Sequence, residues 1–162
     1  QFEKNSWRNR NRIKTSQGMQ WLTVPVLTKG ESFPLIKDVR IDGGAWRKKH
    51  IETMRQSYRR AAFFDRYAPG VFAVLEKPHE FLLDLNLELL RHFAESLGIS
   101  TPTRLSSELN IPGKGVERLL AILDSLHAGA FYEGAAGRNY IDAARFEAAG
   151  IRLAYQDYQH PV

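Results

Sequence analysis

The chain has 162 residues and a mass of 18.5 kDa, with 43% hydrophobic and 25% charged residues, a formal net charge of +5 and no cysteine. Ordinary globular usage excludes collagen-like, low-complexity and wholly disordered classes, and the length suits one domain. Without cysteine there is no disulfide, thiolate metal site or thiol nucleophile. No apolar run reaches the roughly 20 residues of a membrane span, since FLLDLNLELL is interrupted by Asp84 and Glu88.

The net charge hides an asymmetry. Residues 1–60 carry 14 Lys/Arg against 5 Asp/Glu, and residues 61–162 carry 9 against 13, so the first part is +9 and the second −4. Such a split predicts an anionic partner for the first part. In SWRNRNRIK the cations Arg8, Arg10, Arg12 and Lys14 share one parity, so an extended strand sets all four on one face about 6.6 Å apart. Arginine's planar fork pairs bidentately with phosphate oxygens, so this row can grip a pyrophosphate or sugar nucleotide. A solvated edge strand kept from aggregating by its charges explains the same pattern equally well. Nucleic-acid binding ranks lower: Trp7, Trp21 and Trp46 lie near basic residues, but no zinc-finger, ribonucleoprotein or basic-tail signature accompanies them. Membrane-surface binding through the basic helix at 46–60 ranks lower still, because Ile51, Met54 and Tyr58 form a core-packing stripe.

After the basic stretch, QWLTVPVL and IKDVRI read as strands around a turn at 29–32, and Asp42-Gly43-Gly44 prepares a helix. Helices follow at 46–60, at 62–75 with a break around Pro69-Gly70, and at 79–97, where Phe81, Leu82, Leu85, Leu89 and Phe93 keep helical spacing up to Gly98. From there short strands alternate with helices: 101–106, 116–127, 130–133, 143–149 and 151–155. The expected fold is therefore α/β, a mostly parallel sheet flanked by helices with a helical segment mid-chain, in one domain over 1–162. Asp142 is the expected N-cap of the helix at 143–149 and Gly150 its stop.

Ligands of open parallel sheets bind at the carboxyl ends of strands, which points to two loops. The first runs from Ser106, Ser107 and Glu108 through Gly113-Lys114-Gly115; it lacks Walker spacing, and an ordinary connection explains it better. The second holds Gly134, Gly137, Arg138 and Tyr140, a stronger ligand loop with which a plain glycine turn competes. His50, His79, His92 and His127 lack paired ligands at i+3 or i+4 and read as packing residues. His160 follows a strand and is a candidate general acid or base. No nucleophile elbow, zincin or dinucleotide fingerprint is present, and the sequence names neither metal nor cofactor.

The segments QFEKNSWRNRNRIKT, GMQWLTVPV, WRKKH, SSELNI, GRNYID and AGIRLAYQDYQHP, taken in series, resemble the WbqC-like family. The resemblance implies a bacterial cytoplasmic protein encoded among genes for O-antigen and other surface polysaccharides. It implies site positions at Asn9, Arg10, Arg12, Lys14, Trp21, Thr23 and Trp46, at Ser106, Ser107 and Glu108, and at Gly134, Gly137, Tyr140 and His160. Family members carry a strand and a His-Gln-Pro motif upstream of the basic block, so the chain is expected to be an excerpt, cut at both ends. They also tend to carry a serine before the first glycine of the last loop, with a glycine or proline inside it, where this chain has Glu133 and Ala135-Ala136. That carboxylate either changes the charge the loop prefers or points away.

The expectation is a cytoplasmic transferase of O-antigen and lipopolysaccharide biosynthesis, acting on a phosphorylated or nucleotide-activated sugar. Arg10, Arg12 and Lys14 hold phosphate, with Asn9, Trp21, Ser106, Ser107 and the Gly134–Gly137–Arg138–Tyr140 loop lining the site. Glu108 or His160 supplies acid or base chemistry. The alternatives are a non-catalytic partner of another enzyme of the pathway and, third, a nucleic-acid binder.

Overall fold

The computed structural model describes residues 2–3, 6–27 and 34–159. Its first element follows from alternation and a tight turn. Strands β1 (Arg10–Thr15) and β2 (Gly18–Thr23) pair antiparallel from Arg10 opposite Thr23 to Thr15 opposite Gly18. Thr15 Oγ1 donates to the Gly18 carbonyl at 2.8 Å and accepts the Gln17 N–H at 3.1 Å, and Gly18 takes the positive φ of 103° that closing the hairpin requires.

Pro25 ends this ladder because it has no N–H to donate. The strand expected over QWLTVPVL is therefore two: β2, and β3 (Val26–Leu27), which pairs antiparallel with β4 (Arg40–Ile41). The second expected strand, IKDVRI, shrinks to β4, since Ile36–Asp38 winds into a 3-10 turn closed by the Asp38 N–H on the Leu35 carbonyl at 3.0 Å. The turn expected at 29–32 lies outside the described residues.

Helices α1 (Ala45–Tyr58), α2 (Phe64–Glu76) and α3 (Leu82–Ser96) follow. The break expected at Pro69 does not occur. Pro69 removes one hydrogen bond to the carbonyl four residues back, and the packing of Val71, Phe72, Val74 and Leu75 into the core offsets that loss. α3 stops as expected: Gly98 adopts φ 71° and the Ile99 N–H reaches back to the Ala94 carbonyl at 2.8 Å. These elements enclose a core of Phe2, Val39, Ile41, Trp46, Ile51, Val74, Leu75, Leu82 and Leu85. Full burial of side chains such as Leu82 and Leu85 contributes about 1.5–3 kcal/mol each.

Contacts gather the chain into two compact units, Gln1–Thr101 and Pro102–Val162. The second unit is built on α4 (Gly115–Ser125), β5 (Ala130–Glu133), α5 (Ala143–Ala148) and β6 (Arg152–Tyr155). β5 and β6 pair in parallel from Ala130 opposite Arg152 to Glu133 opposite Tyr155, and Phe131 stacks on Phe146 at 5.7 Å. Leu123, Ile141, Phe146 and Ile151 form the core of this unit. Asp142 caps α5 as expected, accepting the Ala144 N–H at 3.1 Å, and Gly150 ends it at φ 70°.

The mostly parallel sheet is corrected by these observations. The described residues form a mixed fold of helices with three two-stranded sheets, of which only β5–β6 is parallel. The strand expected at 101–106 is absent for a local reason. Pro102 cannot donate to a ladder, and Arg118 captures the carbonyls of Ser106 at 3.0 Å and Ile111 at 2.9 Å, folding 106–110 into a turn.

Candidate functional site

The β1–β2 hairpin carries the basic residues singled out in the sequence. Direct cross-strand partners share a face, so Arg10, Arg12 and Lys14 lie beside Thr23, Trp21 and Met19 respectively. Arg10 and Arg12 both turn their guanidinium groups to the Trp21 ring, 4.3 and 5.5 Å from its centre. Among the described residues none of Arg10, Arg12 and Lys14 forms an ion pair. The indole, 49% exposed, spaces the two guanidinium groups and holds them against the sheet, each contact stabilising by about 0.5–1 kcal/mol.

Arg8 does not join the row. It lies in the turn before β1, within 3.6 Å of Glu3 and 5.5 Å of the Trp7 ring, so the row has three cations rather than four. Asn9 is buried. Its Nδ2 donates to the Val24 carbonyl at 3.0 Å while its own carbonyl accepts the Val24 N–H at 2.8 Å. Because Nδ2 is committed to an acceptor, Oδ1 is fixed as an acceptor, and it has no donor opposite it. Arg10 Nε is likewise buried without an acceptor.

Three residues that sequence reasoning missed as hairpin anchors hold this face in place. The Tyr58 hydroxyl of α1 accepts the Lys14 N–H at 2.9 Å, capping the outer edge of β1. Asn86 of α3 donates to the Arg8 carbonyl at 3.0 Å. His50 of α1 donates to the Thr23 carbonyl, and Trp46 packs on it at a ring separation of 5.0 Å. Burial pushes the His50 imidazole below its ordinary value of 6.5, against the Thr23 bond and with help from the Lys49 charge, so His50 is neutral at pH 7. No sequence signal marks these anchors, because their partners lie 27 to 78 positions away.

The loops of the second unit are organised differently. Glu108 is exposed in the 106–110 turn, its N–H bonded to the Leu105 carbonyl at 2.9 Å, and Ser106 and Ser107 are exposed beside it. In the other loop the Glu133 carboxylate folds back to accept the Gly134 N–H at 2.8 Å. A Cβ on the buried Gly137 would stand 2.3 Å from Glu133 Cγ and 3.1 Å from Tyr155, so glycine is required for this close approach. Arg138 lies over the Tyr155 ring at 4.4 Å. The Tyr140 phenol is pushed above its ordinary value, first by desolvation and then by the Glu133 carboxylate to which it is hydrogen-bonded. Gly134, Gly137 and Tyr140 are therefore gathered around Glu133, while Arg138 lies over the Tyr155 ring. No hydrogen bond or ion pair joins this loop to the 106–108 turn among the described residues. His160 lies outside the described residues.

An open depression of ≈ 450 Å³ in the second unit is lined by Ala143, Glu147, Gly150, Ile151, Arg152 and Leu153, none of them a residue the sequence marked as a candidate site residue. Among the described residues no three His, Asp or Glu side chains converge as a metal site, and no helix is long and apolar enough to cross a membrane.

Comparison with known proteins adds a family. The profile of the WbqC-like protein family matches residues 1–162. The uncharacterized protein Rv1507c of Mycobacterium tuberculosis is 38% identical over 159 residues, which cover 98% of this chain and 69% of that relative. No solved structure matches.

Proposed function

The chain belongs to the WbqC-like protein family, and from that premise we propose that it is a transferase of bacterial surface-polysaccharide (O-antigen) biosynthesis. In this reading it works in the cytoplasm and takes a phosphorylated or nucleotide-activated sugar on the open face of the β1–β2 hairpin. One observation carries the reading: Arg10 and Arg12 converge on Trp21 while, among the described residues, neither they nor Lys14 has an acidic partner. Guanidinium groups held by a ring are preorganised for phosphate oxygens, each charge-assisted hydrogen bond contributing about 1.5–3 kcal/mol. The indole's exposed surface offers a stacking platform for a sugar or a base.

The test is calorimetric titration of the protein with UDP-glucose, glucose 1-phosphate and UDP. The reading expects saturable binding by at least one of them, weakened by at least about a hundredfold by Arg10→Ala with Arg12→Ala, the loss of two such bonds. Binding indifferent to both substitutions removes the hairpin from the site.

A second reading is a non-catalytic partner of another enzyme of the same pathway. It draws on Leu90, Phe93 and Leu97, which point outward along α3. A stable complex with a pathway enzyme, lost on Phe93→Asp, together with no binding of any sugar phosphate, replaces the transferase reading. Nucleic-acid binding, the third, predicts oligonucleotide affinity that falls steeply with salt.

A further inference from the structure

The two edges of the hairpin differ in what meets their backbone. The Val24 N–H bonds to the Asn9 carbonyl at 2.8 Å, and hydrogen-bonded pairs alternate along an antiparallel ladder. Arg10, Arg12 and Lys14 therefore turn their backbone groups outward from β1, and Met19, Trp21 and Thr23 turn theirs outward from β2. The β1 edge is blocked: Asn11 Oδ1 accepts the Arg12 N–H at 2.8 Å, and the Tyr58 hydroxyl accepts the Lys14 N–H at 2.9 Å. On the β2 edge His50 takes the Thr23 carbonyl. Among the described residues nothing meets the N–H or carbonyl of Met19 and Trp21, or the Thr23 N–H. Such a row of unmet donors and acceptors is a template for another strand, the hazard that Asn11 and Tyr58 remove from β1.

The side chains of this edge select what the added strand carries. Met19 is 72% exposed, so apolar surface lies beside the open backbone. Arg10 and Arg12 belong to β1, yet their guanidinium groups are gathered over Trp21, a residue of the open strand. Direct partners across a ladder share a face, so residues set opposite Met19, Trp21 and Thr23 lie on the face of Arg10, Arg12 and Lys14. Acidic side chains there meet cations that, among the described residues, have no carboxylate of their own. A second copy is the wrong occupant. Antiparallel pairing of β2 with its own copy brings the same three cations to the same face, where like charges repel.

We propose that the outer edge of β2 takes an extended acidic segment of a partner protein as an antiparallel third strand. Backbone hydrogen bonds to Met19 and Trp21 hold the segment, and acidic side chains at alternate positions pair with Arg10 and Arg12. The proposal goes beyond the sugar-phosphate reading and does not depend on it, since the backbone edge is available whichever anion the arginines hold.

The test follows amide hydrogen exchange by NMR in the whole 15N-labelled chain, with a blocked heptapeptide that alternates glutamate with threonine as the probe. Saturating peptide is expected to slow exchange at Met19 and Trp21 at least about tenfold. In the antiparallel register the glutamate amides face β2 and the threonine amides face away. N-methylation of the glutamate amides is expected to abolish the protection, and N-methylation of the threonine amides to leave it. Arg12→Gln is expected to weaken the peptide at least about tenfold, the worth of one charge-assisted hydrogen bond. Equal protection by both methylated peptides, or none by the parent peptide, overturns the strand addition. Equal protection by a peptide with lysine in place of glutamate overturns the acidic partner. Protection that appears without peptide and grows with protein concentration assigns the edge to a second copy instead. UDP-glucose binding that is lost on Arg10→Ala with Arg12→Ala, beside silent Met19 and Trp21 amides with the peptide, overturns the third strand and spares the sugar-phosphate reading. Protection by the peptide without binding of any sugar ester does the reverse.

Discussion

The β1–β2 hairpin and the 134–140 loop both set arginine against an aromatic ring, Arg10 at 4.3 Å from Trp21 and Arg138 at 4.4 Å from Tyr155. In the hairpin, among the described residues, no carboxylate reaches the cations. In the loop Glu133 has already claimed the Gly134 N–H, and Tyr140 completes its shell. Glycines and an arginine beside a strand end describe an anion site only while its backbone donors are unclaimed, and here a glutamate of the same loop takes the Gly134 N–H while Arg138 stays over Tyr155. The two regions therefore part on a single side chain rather than on their arginines.

The comparison breaks most sharply if the hairpin substitutions Arg10→Ala with Arg12→Ala leave ester binding intact, against the expected loss of at least about a hundredfold. Next in size is Gly137→Ala. The new methyl group would stand 2.3 Å from Glu133 Cγ and close to Tyr155 and Ile141, so the second unit should lose about 1–3 kcal/mol in urea unfolding, with little change in ligand binding at the hairpin. Smaller is Glu133→Gln, which removes the charge but keeps an oxygen for Gly134. Ultraviolet titration should then show the Tyr140 phenol ionising at lower pH than in the parent chain, though the desolvation contribution stays.

The smallest effect expected is on pH. His50 has its folded pKa below 6.5, so between that value and 6.5 the unfolded chain binds a proton that the fold refuses. Its stabilising contribution is complete above 6.5 and is lost as pH falls through the folded value. The melting temperature should decline on acidification from pH 7.5 to 5.5, and His50→Gln should flatten part of that decline. A slope unchanged by the substitution would free the hairpin from this anchor.

Much of the fold was legible because helices announce themselves through spacing. The helices at 46–60, 79–97 and 143–149 appear with trimmed ends, β5 at its expected bounds, and Asp142 and Gly150 in their capping roles. The parallel sheet was over-extended because alternation of elements does not reveal whether a third strand finds a partner, and Pro102 with Arg118 decided against it. At the hairpin the parity of Arg10, Arg12 and Lys14 was readable, whereas Arg8 required knowledge of where the strand begins. Nothing local could show that Asn86 would hold Arg8, 78 positions away, or that Glu133 would fold onto its own loop rather than point outward.

The graded placement of the three tryptophans turns the protein into its own optical probe. Trp46 at 8% exposure sits in a dry environment, Trp7 at 78% in water, and Trp21 at 49% between them, with guanidinium groups within 5.5 Å. Occupancy of the hairpin would alter the emission of the intermediate indole and leave the exposed Trp7 as an internal reference, so Trp7→Phe and Trp46→Phe variants can assign each band before any ligand is labelled.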